Sequence, residues 1–387
     1  MVRGSSGRQV VVSTVGEEVR AFVPDPLPPE PPVDLTGPRA RLLEQAQVAC
    51  GRLDALAQLL PDPNLFLYGY VRREALLSSQ IEGTQSSLSD LLMYEASEAA
   101  GVPLEDVLEV SNYVAALTHG LERMATGLPL SSRLLCEVHA RLLSRGRGAD
   151  KAQGEFRRSQ NWIGGTRPGN AHFVPPPPGE VAACIAELER FIHAADDGLP
   201  ALVKAALAHV QFETIHPFLD GNGRVGRLLI ALMLANDGLL AQPLLYLSLH
   251  FKQQRQQYYT LLGAARHDGD WEAWLDFFLE GVAATAREAV DTAQRLLRLF
   301  RRDEVAVAAA GRSLPSLPAL YGALRAQPVT SLASLAAEVG VSYPTAGRGV
   351  AKLTDLGIAH ELTGGRRNRL FAYTEYVAIL SEGTEPL

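Results

Sequence analysis

Between His216 and Arg227 the chain reads HPFLDGNGRVGR, which gathers one histidine, one carboxylate, one asparagine, two arginines and three glycines. The flanks, ALAHVQF before and LLIALMLA after, are apolar, so the polar centre reads as a tight turn between two buried helices. Charges placed among apolar flanks carry a desolvation cost and are expected to meet a partner. Gly221, Asn222 and Gly223 precede a helix starting near Arg224. Open N–H groups at a helix N-terminus attract anions, and glycine lets a phosphate approach the backbone closely. Arg224 and Arg227, three residues apart, share one face of that helix. Together they describe a polyphosphate cradle with a histidine at its lip. Each residue alone has a plainer account: GNG is an ordinary turn, and Asp220 can cap the helix that follows. The whole set at fixed spacing does not. There is no GxSxG and no HExxH, so serine-hydrolase and zinc readings are weaker. His209 falls on an apolar helical pattern and is expected to be a packed core histidine.

The segment fits HxFx(D/E)GNGRxxR without a departure and so resembles the signature of the Fic family (filamentation induced by cAMP). The resemblance implies an enzyme that transfers AMP from ATP to a Ser, Thr or Tyr hydroxyl of a target protein. His216 would then be the general base, its ordinary imidazole being largely neutral at neutral pH. Asp220 would hold Mg²⁺, a hard cation satisfied by one carboxylate plus phosphate oxygens. Asn222 and the N–H groups of Gly221, Gly223, Val225 and Gly226 would cradle the phosphates. Arg224 and Arg227 would make two-point contacts with the β- and γ-phosphates. Around YLSLHFKQQRQQYY the chain is again similar to the family, with Gln254 on the adenine side of the pocket.

Upstream, LLSSQIEGTQSSLSDLL resembles the family's inhibitory motif (S/T)xxxE(G/N), with Ser78, Glu82 and Gly83 in the specified places. Its position before the core resembles the N-terminally inhibited group of the family, class II. The implied logic is that Glu82, on an apolar helix, pairs with Arg227 and denies it to the γ-phosphate. The plainer account is a surface or capping glutamate. Between the two motifs, QGEFRRSQNWIGGTRPGNAHFVPPPP carries turn signals at Gly164–Gly165 and Pro168–Gly169, flanked by strand-like NWI and HFV. This reads as a short hairpin, and the resemblance implies a flap over residues 160–175 on which an extended segment of the target docks by strand addition. Trp162, Ile163, Phe173 and Val174 could equally form a small core. Pro175–Pro178 read as a stiff connector.

At 387 residues and 47% hydrophobic content, two or three domains with a sizeable core are expected. Cys50, Cys136 and Cys184 are odd in number and far apart, which fits free thiols and a cytoplasmic location. MVRGSSGRQVVVS has no long apolar run, so no signal peptide is read there. No stretch approaches the roughly 20 apolar residues that span a bilayer. A net charge of −7 offers no general attraction to nucleic acid or anionic membranes.

The fold class expected is mainly α: an irregular arm over residues 1–38, then a helical Fic core broken only by the hairpin flap, then a small winged helix-turn-helix. Breaks are expected near Pro61–Asn64 and Gly101–Pro103. The domains expected are 1–107 (arm and inhibitory helix), 108–310 (catalytic core) and 311–387. In the last, helices are expected near Leu332–Val339 and Pro344–Leu356, with Gly340 as the turn and a wing turning at Gly364–Gly365. DNA contact would use Ser342, Tyr343 and Thr345 for the groove and Arg366, Arg367 and Arg369 for phosphates. Residues 313–376 carry six Lys+Arg and four Asp+Glu, a net of only +2 (6 − 4), which is a weak basic footprint. Winged helices also serve as protein-binding or dimer modules, so a homodimer is a further expectation. The function expected is a protein adenylyltransferase restrained by Glu82. The alternatives are a DNA-binding regulator that uses the core as a nucleotide sensor, or a Fic enzyme that removes AMP from its target. An intact His216 favours the transferase, since a sensor needs the cradle but not a base.

Overall fold

The computed structural model describes residues 3–14, 16–59, 63–97, 104–194, 198–364 and 369–386. In chain order the elements begin with β1 (Gly7–Thr14), β2 (Glu17–Pro24), α1 (Pro38–Leu59), α2 (Pro63–Ile81), α3 (Leu88–Ser97), α4 (Leu104–Ala125) and α5 (Ser132–Leu142). Next come α6 (Pro178–His193), α7 (Ala201–Ile215), α8 (Asn222–Asn236), α9 (Ser248–Gln253), α10 (Arg255–His267) and the long α11 (Trp271–Gly311). The last are α12 (Leu317–Ala326), β3 (Val329–Ser331), α13 (Leu332–Val339), α14 (Tyr343–Asp355), β4 (Ala359–Glu361), β5 (Leu370–Tyr373) and α15 (Thr374–Ser381). The fold is mainly helical, as the three- and four-residue apolar spacing predicts. Pro61 and Gly101–Pro103 lie outside the described residues. Two breaks that the spacing did not predict separate α2 from α3 and α4 from α5.

The chain divides into two compact units. One comprises Met1–Gln58 with Asn112–Arg287, the other Leu59–Ser111 with Glu288–Leu387. In the first, α7 is the central element: every residue from Leu202 to Ile215 is buried, so it has no polar face to turn outward. α8 packs along it. His209 is fully buried on α7, donating from Nδ1 to the Gly226 carbonyl (3.0 Å) and accepting from the Tyr258 hydroxyl at Nε2 (2.9 Å). Burial depresses its imidazole to about 3 and keeps it neutral, as a core histidine must be. Trp274 of α11 closes the same core by donating to the Ala206 carbonyl (2.9 Å).

The irregular arm expected over residues 1–38 is not what forms. β1 and β2 pair as an antiparallel hairpin in register from Gly7↔Pro24 to Thr14↔Glu17, with Gly16 at φ 83° in the connection. The β-branched run Val10–Val12 and the segment VRAFV, with Val19, Ala21, Phe22 and Val23 buried and Arg20 exposed, drive the pairing. Averaging over a Pro-, Gly- and Ser-rich segment hid them. Beyond Pro24 the arm is tied down by Arg3, which pairs with Glu272 and donates to the Pro31 (2.6 Å) and Pro32 (2.8 Å) carbonyls, and by Asp34 N–H, which donates to Glu272 (3.0 Å); at the start of α1, Arg39 pairs with Asp276 (2.6 Å).

The flap expected as a hairpin is a single antiparallel bridge, Ile163↔Phe173, around a tight turn at Pro168–Asn170. Pro175–Pro178 have no N–H to donate, so no ladder can propagate from that side. Instead Phe22 of β2 donates to the Val174 carbonyl (2.8 Å), and Val19, Ala21 and Val174 form a small cluster. The proline run leads straight into α6, which starts with proline in its first turn.

In the second unit, β3, β5 and β4 form an antiparallel sheet in that order, packed with α12, α13 and α14. Residues 317–373 run helix, strand, helix, helix, strand, strand; two helices followed by two strands are expected from the sequence, whereas α12 and β3 are not. Leu332–Val339 and Tyr343–Asp355 are helices, with Gly340 at φ 70° between them. Gly365, Arg366 and Arg367 lie outside the described residues. The unit also holds α2 and α3. Gln80 near the end of α2 donates to the Ser86 carbonyl (3.0 Å) and the Thr384 carbonyl (2.8 Å). Arg73 pairs with Glu288 and donates to the Glu382 carbonyl (2.8 Å), while the Tyr376 hydroxyl donates to the Leu65 carbonyl (2.8 Å).

Candidate active site

The site is built at the junction of α7 and α8. α7 ends because His216 turns left-handed, at φ 49° and ψ 59°, a conformation that costs a non-glycine residue roughly 1–2 kcal/mol. Pro217 follows and cannot continue a helix. Phe218 then plunges into the core, sandwiched by His139 of α5 (centroids 3.8 Å apart, planes within 6°) and flanked by Phe156 (5.5 Å). Gly221, at φ 77°, is the N-cap of α8 and contributes no side-chain cap. A helix whose N-cap lacks an oxygen leaves its first-turn N–H groups for something else.

Asn222 is 2% exposed, and its side chain is engaged within the turn. Its Oδ1 accepts from Phe218 N–H and its Nδ2 donates to Phe218 C=O, both at 2.8 Å. The amide side chain expected to orient a phosphate is therefore the brace of the turn. Of the backbone N–H groups expected to cradle phosphates, that of Val225 donates to the Gly221 carbonyl (3.0 Å) and that of Gly221 to the Asp220 carboxylate (2.6 Å), which leaves the start of α8, at Gly223, as the candidate. Asp220 stays partly exposed. Its Oδ1 accepts from Gly221 N–H (2.6 Å) and lies 3.5 Å from Arg224 Nη2, the outer limit of a hydrogen bond. Gly148, at φ 84°, lies so close that a Cβ there would come within 2.9 Å of Asp220 Oδ2. Arg224 and Arg227 are both buried, at 1% and 4% exposure, so the helix holds two guanidinium groups out of bulk water. Val225 is fully buried. Gly226 backs onto α7, where a Cβ would collide with the Glu213 carboxylate. Gln254 is exposed at the junction of α9 and α10, donating to His250 Nδ1 (3.3 Å). Among the described residues no group of three or more His, Cys, Asp or Glu forms a metal cluster. A lone carboxylate beside a helix N-terminus is nonetheless a fitting donor for Mg²⁺, which would take its other ligands from phosphate and water.

Three residues that the sequence reading did not single out hold this turn in place. His139 accepts from Gly154 N–H at Nδ1 (2.9 Å), which leaves Nε2–H to donate to the Asp220 carbonyl (3.0 Å). Burial pushes its imidazole down to about 4, so it acts as a neutral donor. Asn161, at the flap entrance, donates to the carbonyls of Phe218 (3.3 Å) and Leu219 (3.4 Å). Arg157 donates from Nε to the His216 carbonyl (2.9 Å). The only sequence signal for His139 was its place in the apolar SSRLLCEVHARLL, and Arg157 stands beside an equally charged Arg158. Ser78, Glu82 and Gly83 belong to the other compact unit. Ser78 is fully buried in α2, but Glu82 is not within the helix as expected: α2 ends at Ile81, and Glu82 and Gly83 (φ 105°) form the turn after it.

Residues 129–234 match the Fic/DOC family and residues 40–122 match the Fic/DOC family N-terminal region. Residues 40–122 and 129–234 of this chain thus carry the two regions of the Fic/DOC family. It is 30% identical over 204 residues to the protein adenylyltransferase Fic of Drosophila grimshawi, a match covering 52% of this chain and 39% of that protein. The protein of the same name from Drosophila melanogaster matches at 30% over 52% of this chain and 38% of its own. The match thus spans well under half the length of these relatives. The fold resembles that of a Fic family protein from Desulfovibrio desulfuricans G20, with a TM-score of 0.57, 21% identity, and coverage of 89% of this chain and 98% of that one. It also resembles Fic-1 from C. elegans, with a TM-score of 0.52, 20% identity, and coverage of 66% and 73%. Among the described residues no helix is long and apolar enough to cross a membrane.

Proposed function

We propose that this chain is a protein adenylyltransferase that moves AMP from ATP to a Ser, Thr or Tyr hydroxyl of a target protein. The observation that carries the reading is the uncapped N-terminus of α8, with Arg224 and Arg227 buried on its first two turns and His216 at the end of the preceding helix. The helix N-terminus and the two guanidinium groups supply positive potential for a triphosphate. His216 takes the hydroxyl proton, the hydroxyl oxygen forms a bond to the α-phosphorus, and the bond to the β-phosphate oxygen breaks, releasing pyrophosphate. Asp220 would hold Mg²⁺, which when bound offsets phosphate charge. The acceptor segment docks on the flap, residues 160–175, and Gln254 borders the base. The names of the relatives that match over half of this chain support the same reaction.

Glu82 restrains this activity by engaging Arg227. The reading rests on the motif Ser78–Glu82–Gly83 and on where the glutamate falls. A carboxylate just past a helix C-terminus meets the negative end of the helix dipole, an unfavourable place for it unless a cation answers it. The C-terminal module serves targeting, through DNA or a protein partner, and the chain works in the cytoplasm as a homodimer. Arg369, a candidate phosphate contact, is bonded to Glu361 (2.5 Å) and offers a nucleic acid less than a free arginine would.

The test is intact-mass spectrometry of the full chain incubated with each nucleoside triphosphate and Mg²⁺, for wild type and Glu82→Gly. A gain of one AMP on the chain, faster by about 30- to 150-fold in Glu82→Gly, is the expected result; it corresponds to an inhibited state favoured by about 2–3 kcal/mol. No adduct from any nucleotide in either protein overturns the transferase reading. An adduct formed equally fast in both overturns the restraint alone.

A further inference from the structure

Arg157 is 2% exposed, and among the described residues its guanidinium pairs with no carboxylate. Its contacts are four backbone carbonyls: Nε to His216 (2.9 Å), Nη1 to Ser159 (3.3 Å), and Nη2 to Pro176 (2.5 Å) and Ile215 (3.4 Å). Its own N–H donates to the Pro217 carbonyl (2.9 Å). Burial without a carboxylate partner depresses its guanidinium to about 10, a direction that reports the desolvation it bears. Its neighbour Arg158 has an 87% exposed side chain and pairs with Glu155, so the two arginines have different tasks.

The four acceptors come from three places. Ile215 and His216 are the last carbonyls of α7, orphaned by the helix end and sitting at its negative pole. Ser159 lies on the segment that enters the flap, and Pro176 on the segment that leaves it. A planar fork with five N–H donors in fixed directions can join these places at once; a lysine ammonium can reach one or two. The same side chain therefore grips the peptide of the left-handed histidine and both ends of the flap.

We infer that Arg157 is a positioning residue that fixes His216 relative to the flap, and so sets the distance between the base and the acceptor hydroxyl. The inference rests on the transferase reading for its consequence in rate, but not for its structural content. It separates two requirements of the reaction. Nucleotide binding depends on α8 and its arginines, which Arg157 does not touch. Alignment of the acceptor depends on the flap and on His216, which it does.

The experiment compares Arg157→Lys and Arg157→Gln with wild type in the full chain. ATP affinity is measured by calorimetry with Mg²⁺, auto-modification by intact mass, and amide hydrogen exchange over residues 153–178 and 212–220. The expected result is an ATP Kd within about two-fold of wild type, with transfer slowed about 10- to 100-fold, as for a misplaced reacting pair. Exchange should rise together in the two segments and stay unchanged in α8. Arg157→Gln should be the worse of the two, since it keeps no charge. The inference is overturned if transfer stays within two-fold of wild type, or if ATP affinity falls in step with the rate. It is equally overturned if neither variant keeps the wild-type melting profile, since the residue is then a support of the fold. If neither the wild-type chain nor Glu82→Gly forms an adduct, the transferase reading fails and the exchange data still decide whether one residue couples the flap to His216.

Discussion

The turn between α7 and α8 and the turn between α13 and α14 each join two helices through left-handed residues, His216 and Gly221 in the first and Gly340 in the second. They differ at the N-terminus of the helix that follows. α14 begins behind Ser342, whose hydroxyl accepts from Thr345 N–H (3.4 Å), and α13 begins behind Ser331, which accepts from Ser334 N–H (3.0 Å). In each of these helices a serine side chain satisfies one of the first-turn donors. α8 begins behind Gly221, has no side-chain cap, and buries two arginines within its first six residues. The basic residues of α14 tell the same story in reverse: Arg348 is exposed and available only at the surface. A capped helix end closes on itself, whereas an uncapped one with buried cations is shaped for an anion.

Three substitutions measure that difference. The largest effect is expected at the first turn: His216→Ala should slow transfer by about two to four orders of magnitude while ATP affinity is kept, because the phosphate contacts lie on α8. Auto-modification and calorimetry on the same protein decide it, and transfer within a few-fold of wild type would sink the assignment of the base. Gly226→Ala is next. A methyl there meets the Glu213 carboxylate and should cost about 1–3 kcal/mol of stability by overpacking, read from urea unfolding; an unchanged midpoint would mean that α7 and α8 can part freely. Ser342→Ala should have the smallest effect, about 1 kcal/mol locally, seen as roughly five-fold faster amide exchange in the first turn of α14. Transfer should not change. If Ser342→Ala alters transfer while His216→Ala does not, the two turns have been assigned the wrong way round.

The grouping of polar residues at the first turn was legible because it is local. A histidine, an aspartate and two arginines within one turn and two helical turns have fixed mutual positions once the helices form. The second turn was legible for the same reason, and α13 and α14 fall within a residue of their expected limits. What the chain did not disclose depends on distant partners. Asn222 looked like a ligand-facing amide because nothing local reveals that Phe218, four residues back, takes both ends of it. Arg157 and Arg158 are identical in type, and only the fold decides that one is buried against four carbonyls. The β1–β2 hairpin was masked by composition: the prolines and serines around it outweighed two short strand-forming runs.

The hydrogen bonds of Gln80 and Arg73 to carbonyls near the chain's last helix have a consequence for inheritance. The segment carrying Ser78, Glu82 and Gly83 and the segment after Glu288 are far apart in sequence yet share one compact unit, with Thr384 and Glu382 receiving bonds from α2. A recombination that exchanges only the C-terminal region separates α2 from its native contacts, and so does a truncation made where the sequence changes character near residue 311. The two flanks are thus a single heritable module interrupted by another, and change in either is filtered by its fit to the other.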